Sequence, residues 1–296
     1  MTKVSATSTH IPVMMKEVLD ALAPQKGELI VDGTFGGGGH ALEIAHHIAP
    51  GGTLLGIDRD SFVISKAEIS VPDVKIIIVC ANYSSLPEIL KNYHFPLADG
   101  LLLDLGFSSN QLDEGRGFSF LKDEPLLMTY SDEDEPLYKA LRRLSKDELK
   151  NIIAVSGEKY ARALAESIWS AEKKQPIETT GELVEVIKKV LPTRYERGRI
   201  HPATRTFLAF RIFINQELEN LERLLDSLPQ VLKPGGRIVI ITFQSLEDKI
   251  VKNKFRQMAK DKKLSLVTKK PILPQFLEIR ANPRSRSAKL RAAIQL

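Results

Sequence analysis

Hydrophobic positions in this chain fall into short solid runs separated by stretches of helical periodicity. Residues 28–32 place Leu29, Ile30 and Val31 ahead of Asp32, and comparable apolar runs occupy 53–58, 74–80 and 99–104. Such runs, bounded by turn residues, read as strands covered on both faces. Between them apolar residues recur every three to four positions. One helix carries Val18, Leu19 and Leu22 and stops at Pro24; the next carries Ala41, Leu42, Ile44, Ala45 and Ile48. Further helices are predicted from about 60 to 69 and from Tyr83 to Asn92. This alternation predicts an α/β fold with a doubly wound parallel sheet.

After the fourth strand the alternation stops. Residues 105 to about 200 show no convincing strand, only helical patterns near 136–143, 146–155, 157–174 and 179–191. A single helix is then expected from about 202 to 231, its stripe formed by Phe207, Phe210, Ile214, Leu218 and Leu221. Pro234-Gly-Gly236, a strand at 237–243, a helix at 246–260 and terminal strands near 264–269 and 288–295 follow. The expected organisation is a disordered stretch at 1–9, a core made of 10–108 and 201–296, and a helical insertion, 109–200, placed after strand four.

Composition narrows the class. An apolar content of 43% and a charged content of 27% over 296 residues suit a soluble globular protein with a full core. No apolar run approaches the roughly 18 residues of a membrane span, and no leader pattern opens the chain, so the expected compartment is the cytoplasm and no membrane partner is expected. The single cysteine, Cys80, excludes an intramolecular disulfide and a thiolate metal cluster. The net charge of +5 is unevenly spread: residues 249–296 carry an excess of +12, and residues 113–135 an excess of −6. A basic end of this kind fits a polyanion binder, with a merely solvated face as the plain alternative.

The chemistry is concentrated at Asp32-Gly-Thr-Phe-Gly-Gly-Gly-Gly-His40. A strand, a glycine turn and a helix N-terminus offer backbone N–H groups to a nucleotide. Gly36-x-Gly38-x-x-Ala41 fits a dinucleotide loop and an S-adenosylmethionine loop equally well. Asp58, 22 residues after Gly36, stands where an acid accepts hydrogen bonds from ribose hydroxyls. It is otherwise a helix cap, a task Asp60 can take instead. Asp32 favours S-adenosylmethionine, because a carboxylate repels a pyrophosphate; its alternative is to satisfy loop N–H groups. Asp104, ending strand four, is the candidate catalytic residue: an acceptor on the N–H of an exocyclic amine returns electron density to nitrogen. Phe107 is either a base-stacking residue or core. A metal role for His40 has no Cys or clustered acids to support it, and no metal is expected.

Eight segments then occur in order: Asp32 to His40, Asp104 to Asp113, Arg116-Gly-Phe-Ser-Phe120, Gly157-Glu-Lys-Tyr-Ala-Arg162, His201 to Phe207, Arg211-Ile-Phe-Ile-Asn215, Phe243 to Asp248, and Asn282 to Ser287. Together they resemble the bacterial small-subunit ribosomal RNA cytosine-N4 methyltransferases, the MraW type, over about residues 10–294. The resemblance implies a class I (Rossmann-like) S-adenosylmethionine-dependent methyltransferase core with a helical domain inserted after strand four. It implies methylation of N4 of a cytidine in the decoding region of 16S rRNA, with S-adenosyl-L-methionine as cofactor and the small ribosomal subunit as partner, and it leaves room for a homodimer. Gly38, Gly39 and His40 fall on the family's cofactor loop, Asp58 on its ribose acid, Tyr83 beside the adenine, and Asp104 and Gln111 facing the cofactor; Asp32 and Gly36 join the cofactor set from the chemistry of the loop.

Three departures bear on the substrate: Phe107 stands for the usual Val, Pro125-Leu-Leu-Met-Thr-Tyr-Ser-Asp132 lacks an acid and an arginine at Leu127 and Thr129, and Gln244 replaces a histidine. Gln244 cannot shuttle a proton. Candidate phosphate contacts are Arg194, Arg197, Arg199 and Arg205, and, near the chain end, Arg284, Arg286, Lys289 and Arg291; Arg205, inside a motif, is alternatively structural. The competing readings are a nicotinamide dehydrogenase, a non-catalytic RNA-binding or ribosome-assembly protein on the same fold, and a DNA amino-methyltransferase.

Overall fold

The computed structural model describes residues 12–106, 115–192, 195 and 201–296. The chain divides into two compact units, residues 1–106 with 218–296, and residues 107–217.

The first unit holds a seven-stranded sheet. Its strands are β1 (Leu29–Asp32), β2 (Thr53–Asp58), β3 (Lys75–Cys80), β4 (Ala98–Asp104), β5 (Leu232–Thr242), β6 (Leu264–Leu266) and β7 (Lys289–Gln295), in the order β3-β2-β1-β4-β5-β7-β6. β1 to β5 are parallel, and β7 runs antiparallel to β5 and β6. The order reverses between β1 and β4, which opens a crevice at their carboxyl ends. This is the Rossmann-like sheet expected of a class I methyltransferase core.

Alternate residues face opposite layers, as the period of two requires. Val31, Leu55, Ile57, Leu101, Leu103 and Ile240 pack in one layer with leucines at 86, 90, 221, 224 and 225 and with Phe255. Ile30, Leu54, Leu102, Val239 and Ile241 pack in the other with Val18 and Leu22 of helix α1 (Met15–Leu22) and Ala41, Ile44, Ala45 and Ile48 of α2 (Gly39–Ile48). Helices α3 (Ser61–Ser65) and α4 (Leu86–Asn92) follow β2 and precede β4. The expected helix at 60–69 is shorter than its pattern suggested, ending at Ser65, and the Ile69 side chain beyond it lies over Gly38.

The second unit is helical: α5 (Leu137–Arg143), α6 (Lys146–Val155), α7 (Ala161–Lys174), α8 (Thr180–Val190) and α9 (Thr204–Asn215). α6 and α8 each begin with a capping box, Ser145 with Glu148 and Thr179 with Glu182. The sequence pattern places the return to the core at residue 201, whereas α9 gives Phe207 and Phe210 to the core of the helical unit. The single helix expected from 202 to 231 is two. Gln216 adopts φ +50°, and α10 (Glu217–Asp226) starts beyond it. Asn215 fixes the break: its Nδ2 donates to the Met128 carbonyl at 2.8 Å and its Oδ1 accepts from Tyr130 N–H at 3.0 Å.

Two last helices, α11 (Ser245–Lys260) and α12 (Phe276–Ala281), complete the first unit. At the far end of the sheet from the crevice, Arg237 donates to the Leu22 carbonyl (2.7 Å) and to both Glu28 oxygens (2.8 and 2.5 Å), joining β5 to the end of α1. Both side chains are largely buried. Removing one partner strands the other charge, so Arg237→Met is expected to lower the unfolding free energy by about 3 kcal/mol in urea titration.

Candidate functional site

The loop after β1 is stitched to both neighbouring strands. Gly33 N–H donates to the Leu102 carbonyl (2.9 Å), and Thr34 Oγ1 accepts from Asp104 N–H (2.6 Å), both on β4. Phe35 N–H donates to the Ile57 carbonyl (2.9 Å), and Gly36 N–H to Asp58 Oδ2 (2.8 Å), both on β2. Phe35 is buried, and its ring lies where a side chain on Gly56 would stand, 2.5 Å from that position. Gly38 has φ +74° and precedes α2; a Cβ there would meet Ile69 Cδ1 at 2.5 Å. Its missing side chain therefore serves loop closure and packing. At Gly36 the nearest such neighbour is the Thr34 carbonyl, at 3.7 Å, so this is where the loop backbone stays approachable.

Three carboxylates converge on this crevice. Asp32 ends β1, is almost fully buried, and accepts from Thr34 N–H at 3.1 Å. Burial pushes its pKa up to about 6; His40 pulls it down, and the charges of Asp104 and Asp58 add to the rise. Asp58 ends β2 and accepts from Asp60 N–H (2.9 Å) as well as from Gly36. Burial raises its pKa, and these N–H donors oppose the rise. With Arg59 N–H as a further backbone donor, the carboxylate still has lone-pair capacity left for a ribose hydroxyl. The cap of α3 is Asp60, whose Oδ1 accepts from Phe62 N–H at 3.0 Å. Asp104 ends β4, and its Oδ1 accepts from Gly106 N–H at 3.1 Å.

His40 stands in the first turn of α2, buried, with Nε2 2.9 Å from the Val13 carbonyl and Nδ1 3.7 Å from Asp104 Oδ2. A carbonyl only accepts, so Nε2 carries hydrogen and Nδ1 is turned to the carboxylate. Tyr83 follows β3, its Cβ 3.3 Å from where a Cβ on Gly33 would lie, and it packs against the core layer beneath the sheet. The crevice thus brings together Asp32, Gly36, His40, Asp58, Tyr83 and Asp104. Gly39 is nearby but packed against Pro12. Among the described residues no group of three or more His, Cys, Asp or Glu is placed to hold a metal ion.

Sequence reasoning missed Thr34, whose hydroxyl fixes Asp104, and Val13, whose carbonyl orients His40. No local pattern marks either. Gln111, Phe107, Arg194, Arg197 and Arg199 lie outside the described residues. In the second unit Arg205 donates to Tyr195 Oη (3.2 Å), which in turn donates to the buried Glu158 (2.7 Å), the structural placement that its motif allowed. Lys289 and Arg291, candidate phosphate contacts on charge alone, are instead paired with Asp248 at 3.2 and 2.7 Å, and Arg291 is buried. Burial pushes the Asp248 pKa up, but these two cations outweigh it and hold the group below its usual value. Arg284 and Arg286 are exposed on a short turn before β7. Gln244 caps α11 at the end of β5, where Glu247 accepts from its N–H at 3.2 Å.

Three buried or half-buried carboxylates answered by one imidazole leave a surplus of negative charge. That suits a ligand with cationic centres and opposes a dinucleotide pyrophosphate. S-adenosylmethionine carries an ammonium and a sulfonium and fits this donor set.

Comparison with known proteins agrees. The model of the MraW methylase family matches residues 7–296. A relative from Thermotoga neapolitana, named ribosomal RNA small subunit methyltransferase H, is 45% identical over 97% of this chain and 96% of its own length. Relatives of the same name from Symbiobacterium thermophilum and Persephonella marina are 41% and 42% identical, covering 97% and 96% of this chain and 96% and 98% of theirs.

The folded protein holds Asp32 at a pKa above its unfolded value, so ionising it costs stability. The penalty grows as pH rises from about 4 to about 6 and is complete above that window. Asp32→Asn is therefore expected to raise the stability of the ligand-free protein at pH 7.5 by on the order of 1–3 kcal/mol, with the gain vanishing near pH 4, as followed by thermal denaturation at both pH values.

Proposed function

The chain belongs to the MraW methylase family, and from that membership we propose that it transfers a methyl group from S-adenosylmethionine to the N4 amine of a cytidine in 16S rRNA of the small ribosomal subunit. The observation that carries the reading is the convergence of Asp32, Asp58 and Asp104 on the β1–β4 crevice, with His40 directed at Asp104. The rRNA substrate follows the names of the relatives; the cytidine and its place in the decoding region follow the sequence resemblance.

When bound, the cofactor supplies an electrophilic methyl group on a cationic sulfur. The residues of this chain do the rest. Asp32 pairs with the ammonium of the methionine portion. Asp58 accepts from the ribose hydroxyls while holding the loop through Gly36. The Tyr83 ring covers the adenine, and the sequence resemblance assigns Gln111 to the cofactor as well. Asp104 accepts an N–H of the cytidine amine, which restores electron density to a nitrogen whose lone pair is shared with the ring, and it then takes the proton the amine releases. His40, oriented by the Val13 carbonyl, packs beside Asp104 with Nδ1 3.7 Å from its Oδ2. The cytidine must be turned out of its stack to reach Asp104. Residues of the helical unit, Arg194, Arg197 and Arg199 among them, and Arg284 and Arg286 of the first unit contact the RNA backbone.

The test is methyl transfer from labelled S-adenosylmethionine to small subunits that lack the modification, followed by nucleoside analysis. Wild type is expected to yield N4-methylcytidine. Asp104→Ala is expected to lower kcat by at least about 100-fold, with a much smaller loss of cofactor affinity. Label in another nucleoside, or none despite cofactor binding, overturns the proposed target.

A further inference from the structure

Helix α12 and its flanks expose apolar side chains that the reaction does not explain. Phe276, Leu277 and Leu273 are 72%, 73% and 58% exposed. Large apolar groups clustered on a monomer's surface mark an interaction site. The exposed charges that flank them along the chain are basic. Lys269, Lys270, Arg280 and Arg286 are exposed, and the guanidinium of Arg280 lies 6.0 Å from the centroid of the Phe276 ring. The acid within the helix, Glu278, is used internally: its Oε1 accepts from Met14 N–H at 2.7 Å.

That last bond also locates the strip. Met14 follows Val13, whose carbonyl holds His40, and His40 faces Asp104. An unbroken series of contacts therefore runs from α12 to the catalytic carboxylate within one compact unit. The strip and the crevice thus belong to one connected part of the same unit.

We propose that residues 269–286 grip an unpaired stretch of RNA beside the target nucleotide, with the Phe276 ring stacking on a base and the cations on either side contacting phosphates. A protein partner that buried this strip would need acids to answer four cations, whereas single-stranded RNA supplies both a phosphate at every step and a π-face on every base. Leu277 and Leu273 extend the apolar floor on which the base lies. The inference rests on the reading of the protein as an RNA methyltransferase.

The experiment measures binding of a labelled unpaired oligoribonucleotide of about ten residues, and of the same sequence in a duplex, by full-length wild type, Phe276→Ser and Lys269→Ala/Lys270→Ala. S-adenosylmethionine affinity, sedimentation and methyl transfer to small subunits are followed in parallel. Phe276→Ser is expected to weaken the single strand about tenfold or more while leaving the duplex and the cofactor unaffected. The lysine pair is expected to reduce the salt dependence by about 1.4 in log–log slope. Unchanged single-strand affinity in both variants overturns the proposal. So does a wild-type dimer that Phe276→Ser converts to a monomer with RNA affinity intact, which would assign the strip to a second copy. If wild type grips RNA through the strip yet methylates no subunit, the functional reading fails and the strip stands; if methyl transfer proceeds and the strip is inert, the reverse holds.

Discussion

Four consecutive residues after β1 are each tied to a neighbouring strand, Gly33 and Thr34 to β4 and Phe35 and Gly36 to β2. The turn therefore bridges the point where the sheet order reverses and cannot shift without breaking ladders on both sides. Its geometry decides everything placed on it. Asp32 enters the loop already buried, Asp104 is pinned through its own N–H to Thr34, and Asp58 accepts from the backbone of Gly36, Arg59 and Asp60. Burial, with the charges of Asp104 and Asp58 added, raises the pKa of Asp32. A bound cation would relieve that repulsion, which makes the loop the candidate site.

The same constraint separates two glycine loops that look alike as strings. A dinucleotide presents a pyrophosphate to the helix N-terminus and gains from a loop free of acids. Here an acid ends each of the three strands that meet the crevice, and the helix sets the His40 ring between Val13 and Asp104. Charge, not glycine spacing, identifies the ligand class. It also explains why S-adenosylmethionine, with two cationic centres against one carboxylate, suits the arrangement.

The parts of this arrangement that were legible in the sequence are those written in local periodicity. Strands ending in Asp32, Asp58 and Asp104 were apparent because a short apolar run followed by an acid is a local signal, and their edge follows from the parallel order. What escaped depends on contacts between distant segments. The break at Gln216 is made by Asn215 bonding to Met128 and Tyr130, more than 80 residues earlier, and the helical stripe continues unbroken across it. The small side chain at Gly39 answers to Pro12, and that at Gly38 to Ile69. Lys289 and Arg291 counted as part of a basic tail until Asp248, on another element, claimed them. Charge counts along a chain cannot see such pairings, whereas the exposed Phe276 and Leu277 are visible only once the core is known.

The central claim is electrostatic, and calorimetric titration of S-adenosylmethionine between pH 5 and 7.5, in wild type and Asp32→Asn, tests it most directly. A cation that prefers ionised Asp32 binds fully above the pKa of about 6 and progressively more weakly below it. Wild-type affinity is therefore predicted to fall below pH 6, by up to about tenfold per pH unit, and the variant to bind weakly with a flatter profile. Wild-type affinity that is constant across this range, or a variant that binds as tightly as wild type, would contradict the account.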